Sequence, residues 1–467
     1  MASDASILAT TGDSAWNMDR RHVLHPWQHF DSFKDEGALL IERGDGCYIF
    51  DRAGRRYFDA VGGLWCTNIG LGREEMVQAI ADQTRRLAYC NGFVDMGNAR
   101  AAELGARLAQ LAPADLNHVI YTGGGSTAID SAVRLIHFYN YCRGKSQKRH
   151  LIARRQGYHG STYIAASLTG KDRIPEFRYE EEWIHLVSCP NFYRAPDNMS
   201  EAEFCDFLVT EIEQKFLELG PENVAAFFAE PVLGAGGVIV PPRGYNERTF
   251  ELCRKYDVLY VADEVVTAFG RTGHWFASKG MFGIEPDIIT CAKGLTSGYL
   301  PLGATLYSDR IHKTISEGDA GRFFGHGFTY SGHPVCCAAA LKALEIVERD
   351  KLMDNVRDVG GYFERRLGEL RDLPIVGDVR GTKLMMCVEF VADQAKKELF
   401  SDDLNIGKRV SNRCEQMDLI VRSIVHLNIM SPAFVITTAQ VDFVVDTLRR
   451  GILMTMDDLR REGLWRG

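Results

Sequence analysis

Two short stretches decide the reading of this chain: Tyr260-Val-Ala-Asp263-Glu-Val265 and Asp287-Ile-Ile-Thr-Cys-Ala-Lys293-Gly294. Each is a short apolar run that ends in one ionisable side chain. Short apolar runs bounded by turn signals read as buried strands. Asp263 and Val265, two apart, are expected on one face of their strand. Read alone, Asp263 could equally N-cap a helix. Lys293 could be a surface lysine with its stem lying on apolar surface. Together they place an acid and an amine at the ends of two buried strands.

Working outward, the same pattern recurs. Strands are expected at Val119–Tyr121, His150–Ala153, Ala225–Phe228, Val258–Val261, Ile288–Thr290 and Gly303–Leu306. Helical periodicity covers Ala99–Leu111 and Ser126–Tyr139 between them. Strands alternating with helices predict an α/β fold, with a mainly parallel sheet covered on both faces. Upstream, Gly46 to Asp59 reads as a hairpin turning at Asp51 and Gly54. The first 40 residues or so, with the cluster His25-Pro-Trp27-Gln-His-Phe30, read as an arm draped over a surface. Downstream, helices are expected at Pro334–Glu348 and Asn355–Leu370, strands at Gly381–Phe390 and Leu419–Arg422, and a last helix from Ala439. That order predicts a smaller α+β domain. The expected division is 1–70 (arm and hairpin, part of the small domain), 71–330 (large domain) and 331–467 (C-terminal part of the small domain).

Composition narrows the function classes. The 467 residues are 46% hydrophobic and 25% charged, enough for a large core. A net charge of -8 offers no basic surface for nucleic acid. Twelve cysteines occur without C-x-x-C or other metal spacing, so free thiols in a reducing cytoplasm, and no metal, are expected. Met1 to Asp13 lack the pattern of a secretory signal, and no apolar run reaches membrane-spanning length.

Val119-Ile-Tyr121-Thr-Gly123-Gly124-Gly125-Ser126 reads as strand, glycine turn and helix start. Close-approaching glycine backbone, a serine hydroxyl and free helix N–H groups make a phosphate cup. A simple glycine turn is the alternative. The stretch matches neither G-x-x-x-x-G-K-[ST] nor G-x-G-x-x-G, which counts against nucleotides. Gln156-Gly157-Tyr158-His159-Gly160 offers an aromatic ring after a glycine turn, suited to a flat cofactor or simply to core packing. His159 alone would more often be structural. A phosphate cup, an acid and a desolvated amine together suit pyridoxal 5′-phosphate: the lysine holds its aldehyde, and the acid faces its ring nitrogen.

These motifs, with Gly63-Leu-Trp65-Cys66, Glu230-Pro231, Ala292-Lys293-Gly294 and Gly327-Phe328-Thr329-Tyr330-Ser331-Gly332-His333-Pro334, make the chain resemble the class III pyridoxal-phosphate aminotransferases of fold type I. Within them it looks closest to the amine and omega-amino acid:pyruvate enzymes, from about Gly46 to Leu453. The resemblance implies a seven-stranded, mainly parallel sheet and a small domain built from both chain ends. It implies that Lys293 carries the cofactor and moves the proton, and that Asp263 pairs with the ring nitrogen. Gly125 and Ser126 would hold the phosphate, and Tyr158 and Val265 would cover the two ring faces. Glu230 would sit near the phenolic oxygen, with His159 also in the cofactor site.

Thr329 would reach the phosphate of a neighbouring subunit, so a homodimer is implied, with a tetramer as the alternative. Trp65, with Phe93 and Phe328, would wall the substrate pocket. Arg422 would clamp the keto acid's carboxylate and swing aside for a plain amine. Many relatives carry Gly-Ser-Glu where this chain has Gly125-Ser126-Thr127. The stretch from Ser423 to Asn428 also matches less well. Net exchange of amino groups between an amine donor and a keto acid, pyruvate first, is the implied activity. Decarboxylation, racemisation or a 1,2-amino shift on the same scaffold, or a non-catalytic binding role, are the alternatives. The aromatic wall suits aliphatic or arylalkyl amines; a diamine, β-alanine or taurine fits as well.

Overall fold

The computed structural model describes residues 14–171, 173–318 and 321–466. The reading of Met1 to Asp13 lies outside them. Near the N-terminus, β1 (Ile41–Asp45), β2 (Tyr48–Asp51) and β3 (Arg56–Asp59) form an antiparallel meander. Its β2–β3 turn is the hairpin expected at Asp51 to Gly54. Arg55 N–H donates to the Asp51 carboxylate and Gly54 N–H to the Asp51 carbonyl, which closes the turn.

The central sheet contains β4 (His118–Thr122), β5 (His150–Arg154), β6 (Ile184–Val187), β7 (Val224–Ala229), β8 (Leu259–Asp263), β9 (Ile288–Cys291) and β10 (Gly303–Tyr307). Their order is β4-β10-β9-β8-β7-β5-β6, and only β10 runs against its neighbours. Successive side chains divide between two cores. Phe227, Tyr260 and Ile289 pack on one face; Phe228, Val261 and Ile288 pack on the other. Six of the seven strands stand where the apolar runs put them. The seventh, β6, escapes that reading. It is an edge strand of four residues, and its middle positions, His185 and Leu186, are only half-buried.

The remaining strands are β11 (Val376–Thr382), β12 (Met385–Phe390), β13 (Leu419–Ile420), β14 (Arg422–Ile424) and β15 (Leu427–Met430). They correct two expectations. Gly381 to Phe390 is not one strand: the chain reverses at Lys383 and Leu384, so β11 pairs antiparallel with β12. Gly381 has φ +133°, and a Cβ there would stand 2.1 Å from the Met385 carbonyl oxygen, so the close turn needs glycine. Leu419 to Arg422 is also broken. β13 lies parallel to β3, whereas β14 joins β15 in the sheet β11-β12-β15-β14. The chain changes sheets at Val421, and that change starts a new hairpin at Arg422.

One core joins the two chain ends, with Phe58 and Ile69 packing among Phe363, Phe390, Phe434 and Leu448. The last helix, Thr438–Arg461, begins with a capping box between Thr437 and Gln440 and buries one side into that core. No helix among the described residues is long and apolar enough to cross a membrane.

Candidate active site

A cavity of about 1040 Å³ opens at the C-terminal ends of the parallel strands. Open α/β sheets bind ligands at that edge, because the strand-to-helix loops converge there. Its floor carries Asp263, Glu230, His159 and Lys293; its walls include Trp65, Tyr158, Val265, Gly125, Ser126 and Arg422.

Asp263 ends β8 and is 4% exposed. One carboxylate oxygen stands 2.7 Å from His159 Nδ1, and the other accepts from the Val265 N–H at 3.1 Å. Each oxygen keeps a free lone pair for a further donor. Val265 lies in the turn after β8, not on the strand, so strand alternation is not what aims it. The turn closed by Asp263 does, and an ideal Cβ on Gly125 would come within 2.9 Å of Val265 Cγ1. No helix starts here for Asp263 to cap. His159 is buried, and its Nε2 has no hydrogen-bond partner among the described residues. Buried polar groups are seldom left so.

Glu230 follows β7 and accepts the Tyr158 N–H at 3.0 Å and the Gly234 N–H at 2.8 Å. Burial pushes its carboxyl above the ordinary value; His159 and Arg154 oppose that rise, and Asp263 adds to it. Lys293 follows β9 with φ +43°, a left-handed conformation that costs a non-glycine residue energy. It lines the cavity. Burial pushes the amine below the ordinary lysine value. Cys66, Asp263 and Glu230 oppose the shift, and Arg422 adds to it. A lowered pKa leaves more of the amine in the neutral form that can act as nucleophile or base.

At the phosphate end, Gly123 and Gly124 face open space: a Cβ on either would meet nothing within 4 Å. Gly125 begins an 18-residue helix whose N–H groups point at that space. Ser126 Oγ accepts from the Ser161 N–H at 3.0 Å, which leaves its own hydrogen to give. Gly160 must be glycine, since a Cβ there would stand 2.4 Å from Ser126 Oγ. Thr127 turns its hydroxyl back onto the Gly124 carbonyl at 2.9 Å and so stays out of the cup.

Not every expected residue converges. Thr329, Phe93 and Phe328 lie away from this cavity, among residues 87–98 and 323–333. There Tyr89 Oη donates to the Thr329 carbonyl at 2.8 Å, and Phe93 is 52% exposed. Conversely, Trp27 of the arm lines the cavity, its ring centroid 6.3 Å from that of Tyr158. The cluster around Trp27 was visible as a motif, but nothing local marks which surface an arm will cover. Cys66, Lys171 and Asp402 are further lining residues that the sequence reading did not single out.

The site fits pyridoxal phosphate on its own evidence: an open anion cup, a paired carboxylate with capacity to spare, an unpartnered buried imidazole nitrogen and an amine of lowered pKa. Known proteins agree. Residues 31–452 match the family model "Aminotransferase class-III". A putrescine–pyruvate aminotransferase of Pseudomonas aeruginosa is 40% identical over 435 residues, 93% of this chain and 94% of that protein. An omega transaminase of Pseudomonas jessenii, solved with pyridoxamine phosphate, superposes with a TM-score of 0.92 at 36% identity, covering 95% of this chain and 99% of that one. A thermostable (S)-enantioselective omega-transaminase from Thermomicrobium roseum gives 0.90 at 38%, covering 95% and 98%. The chain belongs to the class-III aminotransferases, which work with pyridoxal phosphate.

Proposed function

We propose that this enzyme moves an amino group from a primary amine or omega-amino acid to pyruvate, in two half-reactions that share one site. The observation that carries the reading is that Lys293 shares one cavity floor with the buried Asp263–His159 couple, whose two members stand 2.7 Å apart. When bound, the cofactor supplies an aldehyde that accepts the amino group and a ring that accepts electrons from the donor carbon. Lys293 would hold that aldehyde between turnovers. Freed by the donor, its amine would serve as the base that takes the donor carbon's proton and as the acid that gives it back. Asp263 would hold a proton at the ring nitrogen, with His159 fixing its carboxylate. Gly125 and Ser126 would hold the phosphate, Tyr158 and Val265 would hold the ring, and Glu230 would serve the phenolic oxygen.

Arg422, on the wall opposite the floor, gives the keto acid's carboxylate a charged partner. Trp65 and Trp27 present apolar faces suited to the carbon skeleton of an amine. The putrescine–pyruvate relative supports a diamine among the donors. The division of the chain at about 70 and 330 is part of the same reading, supported by the core that joins both ends. So is a homodimer. Thr329 would serve a neighbouring subunit's phosphate, because it lies off its own cavity on a surface where Tyr89, Phe93, Val94, Met96, Phe323 and Tyr330 are exposed. Twelve free cysteines support a reducing compartment such as the cytoplasm.

Initial rates with both substrates varied test the reading. Two half-reactions on one site give parallel double-reciprocal lines. Amine alone should bleach the visible absorbance of the loaded enzyme, and pyruvate should restore it. Intersecting lines, or product release without amino-group exchange, would point to another reaction on this fold.

A further inference from the structure

Arg422 begins β14, and the tip of its hairpin is Val425-His426. That tip rests on the corner from Asp402 to Gly407, where a short helical turn meets the helix Ile406–Gln416. Three contacts make the seat. Gly407 N–H donates to the Val425 carbonyl at 2.7 Å, Asn428 Nδ2 donates to the Gly407 carbonyl at 2.8 Å, and His426 Nε2 meets Asp402 Oδ1 at 2.7 Å. Gly407 permits the close approach, since a Cβ there would stand 2.5 Å from the Leu427 carbonyl oxygen. Ser411 Oγ also donates to the Val421 carbonyl at 3.0 Å, directly before Arg422.

Of these links, only the His426–Asp402 pair joins the hairpin to a side chain on the cavity rim. Its two ends differ. His426 is 7% exposed, and its Nδ1 is buried with no partner among the described residues, so one hydrogen bond orients the ring. The Asp402 side chain is 86% exposed and lines the cavity with Asn405, Arg422, Ser423 and Val425. A carboxylate only accepts, so Nε2 carries the proton in this contact. The glycine and asparagine bonds hold the hairpin's backbone to the corner. The histidine bond ties its tip to a side chain that lines the cavity.

We infer that His426 and Asp402 form a positioning latch that sets how far Arg422 reaches into the cavity, and so tunes the enzyme for its keto acid. The inference rests on Arg422 being the carboxylate clamp. His426 and Asp402 touch no reacting atom. They act through Arg422.

The test is the split between the two substrates. His426→Ala and Asp402→Ala should raise the KM for pyruvate roughly tenfold more than the KM for the amine, a fraction of the ~100-fold that a 1 Å misplacement can cost. His426→Gln and Asp402→Asn, which keep a donor and an acceptor, should recover most of the loss. Placed in an Arg422→Ala background, His426→Ala should add nothing, because the residue it acts through is gone. Asp402 is exposed, so its variants keep the test available if His426→Ala does not fold. If Arg422→Ala itself spares the KM for pyruvate, the clamp reading fails. If Arg422→Ala raises it, but the His426 and Asp402 variants change both substrates alike or add to Arg422→Ala, the clamp stands and the latch is overturned.

Discussion

The floor and the mouth of the cavity are built by different means. On the floor, Glu230, Asp263 and Lys293 each follow the C-terminal end of a neighbouring parallel strand, and His159 comes from the loop after β5. Both floor carboxylates are 4% exposed, and every one of their oxygens has a protein partner. At the mouth, Trp27 sits on the arm, Arg422 on a hairpin of three- and four-residue strands, and Asp402 on a single turn. Trp27 is 57% exposed. The floor is held by a seven-stranded sheet that cannot shift one strand alone. The mouth is held by a few hydrogen bonds at a sheet's edge. Chemistry common to both half-reactions belongs on the rigid part, and the choice of substrate belongs on the part that can vary without disturbing it.

The largest break should come from the floor. Lys293→Ala removes both the covalent anchor and the proton carrier, and turnover should fall by roughly 10³-fold or more while the cup still binds cofactor noncovalently. Steady-state rates together with cofactor retention on gel filtration measure both halves of that statement. Undiminished turnover would end the assignment. Asp263→Asn comes next. It leaves His159 an acceptor but removes the negative charge that would face the ring nitrogen, so kcat should fall by roughly 10²–10³-fold with either substrate pair. A loss confined to one half-reaction would show that the floor is not shared.

A mouth variant should behave differently. Arg422→Ala forfeits one charge-assisted contact, about 1.5–3 kcal/mol, which is about 10- to 150-fold in the KM for pyruvate. The KM for an uncharged amine should barely move. Equal effects would make Arg422 a structural ion pair and erase the distinction between mouth and floor.

Legibility in sequence follows the same division. The floor could be read because its strands are apolar runs ending in a single ionisable residue, and because a glycine cup has a local signature. Even there, Val265 reached the cavity for a different reason from the expected one: a turn closed by Asp263 rather than strand alternation. The mouth was harder. The change of sheets at Val421 lies inside what looks like a single strand, because Leu419 to Arg422 is apolar until its last residue. β6 is an edge strand whose half-buried middle leaves a weak pattern. Trp27 reaches Tyr158 across 131 residues, and no local pattern encodes that contact. Thr329 was named by resemblance, and Phe93 and Phe328 as neighbours of Trp65; none of the three is among the residues that line the cavity.

The smallest predicted effect tests whether the floor resists charge as the geometry says. In cofactor-free enzyme, Lys293 has a pKa depressed by burial, whereas in the unfolded chain it returns to about 10.4. Below the depressed value both states hold the proton, and the native state bears the whole cost of a buried ammonium. Between the two values the unfolded chain binds more protons, so stability rises with pH across that window. Lys293→Met removes the cost at every pH. The variant should therefore melt a few degrees above the parent at neutral pH, and the gap should close as pH climbs toward the ordinary lysine value. Arg422→Met supplies the contrast from the mouth: a guanidinium stays charged throughout this range, so its variant should run parallel to the parent. Thermal melts of the three cofactor-free proteins across neutral to alkaline pH decide it. A Lys293→Met protein that tracks its parent at every pH would mean that the floor accommodates a charge as readily as the mouth does, and the lowered lysine pKa on which the proton transfer rests would have to be abandoned.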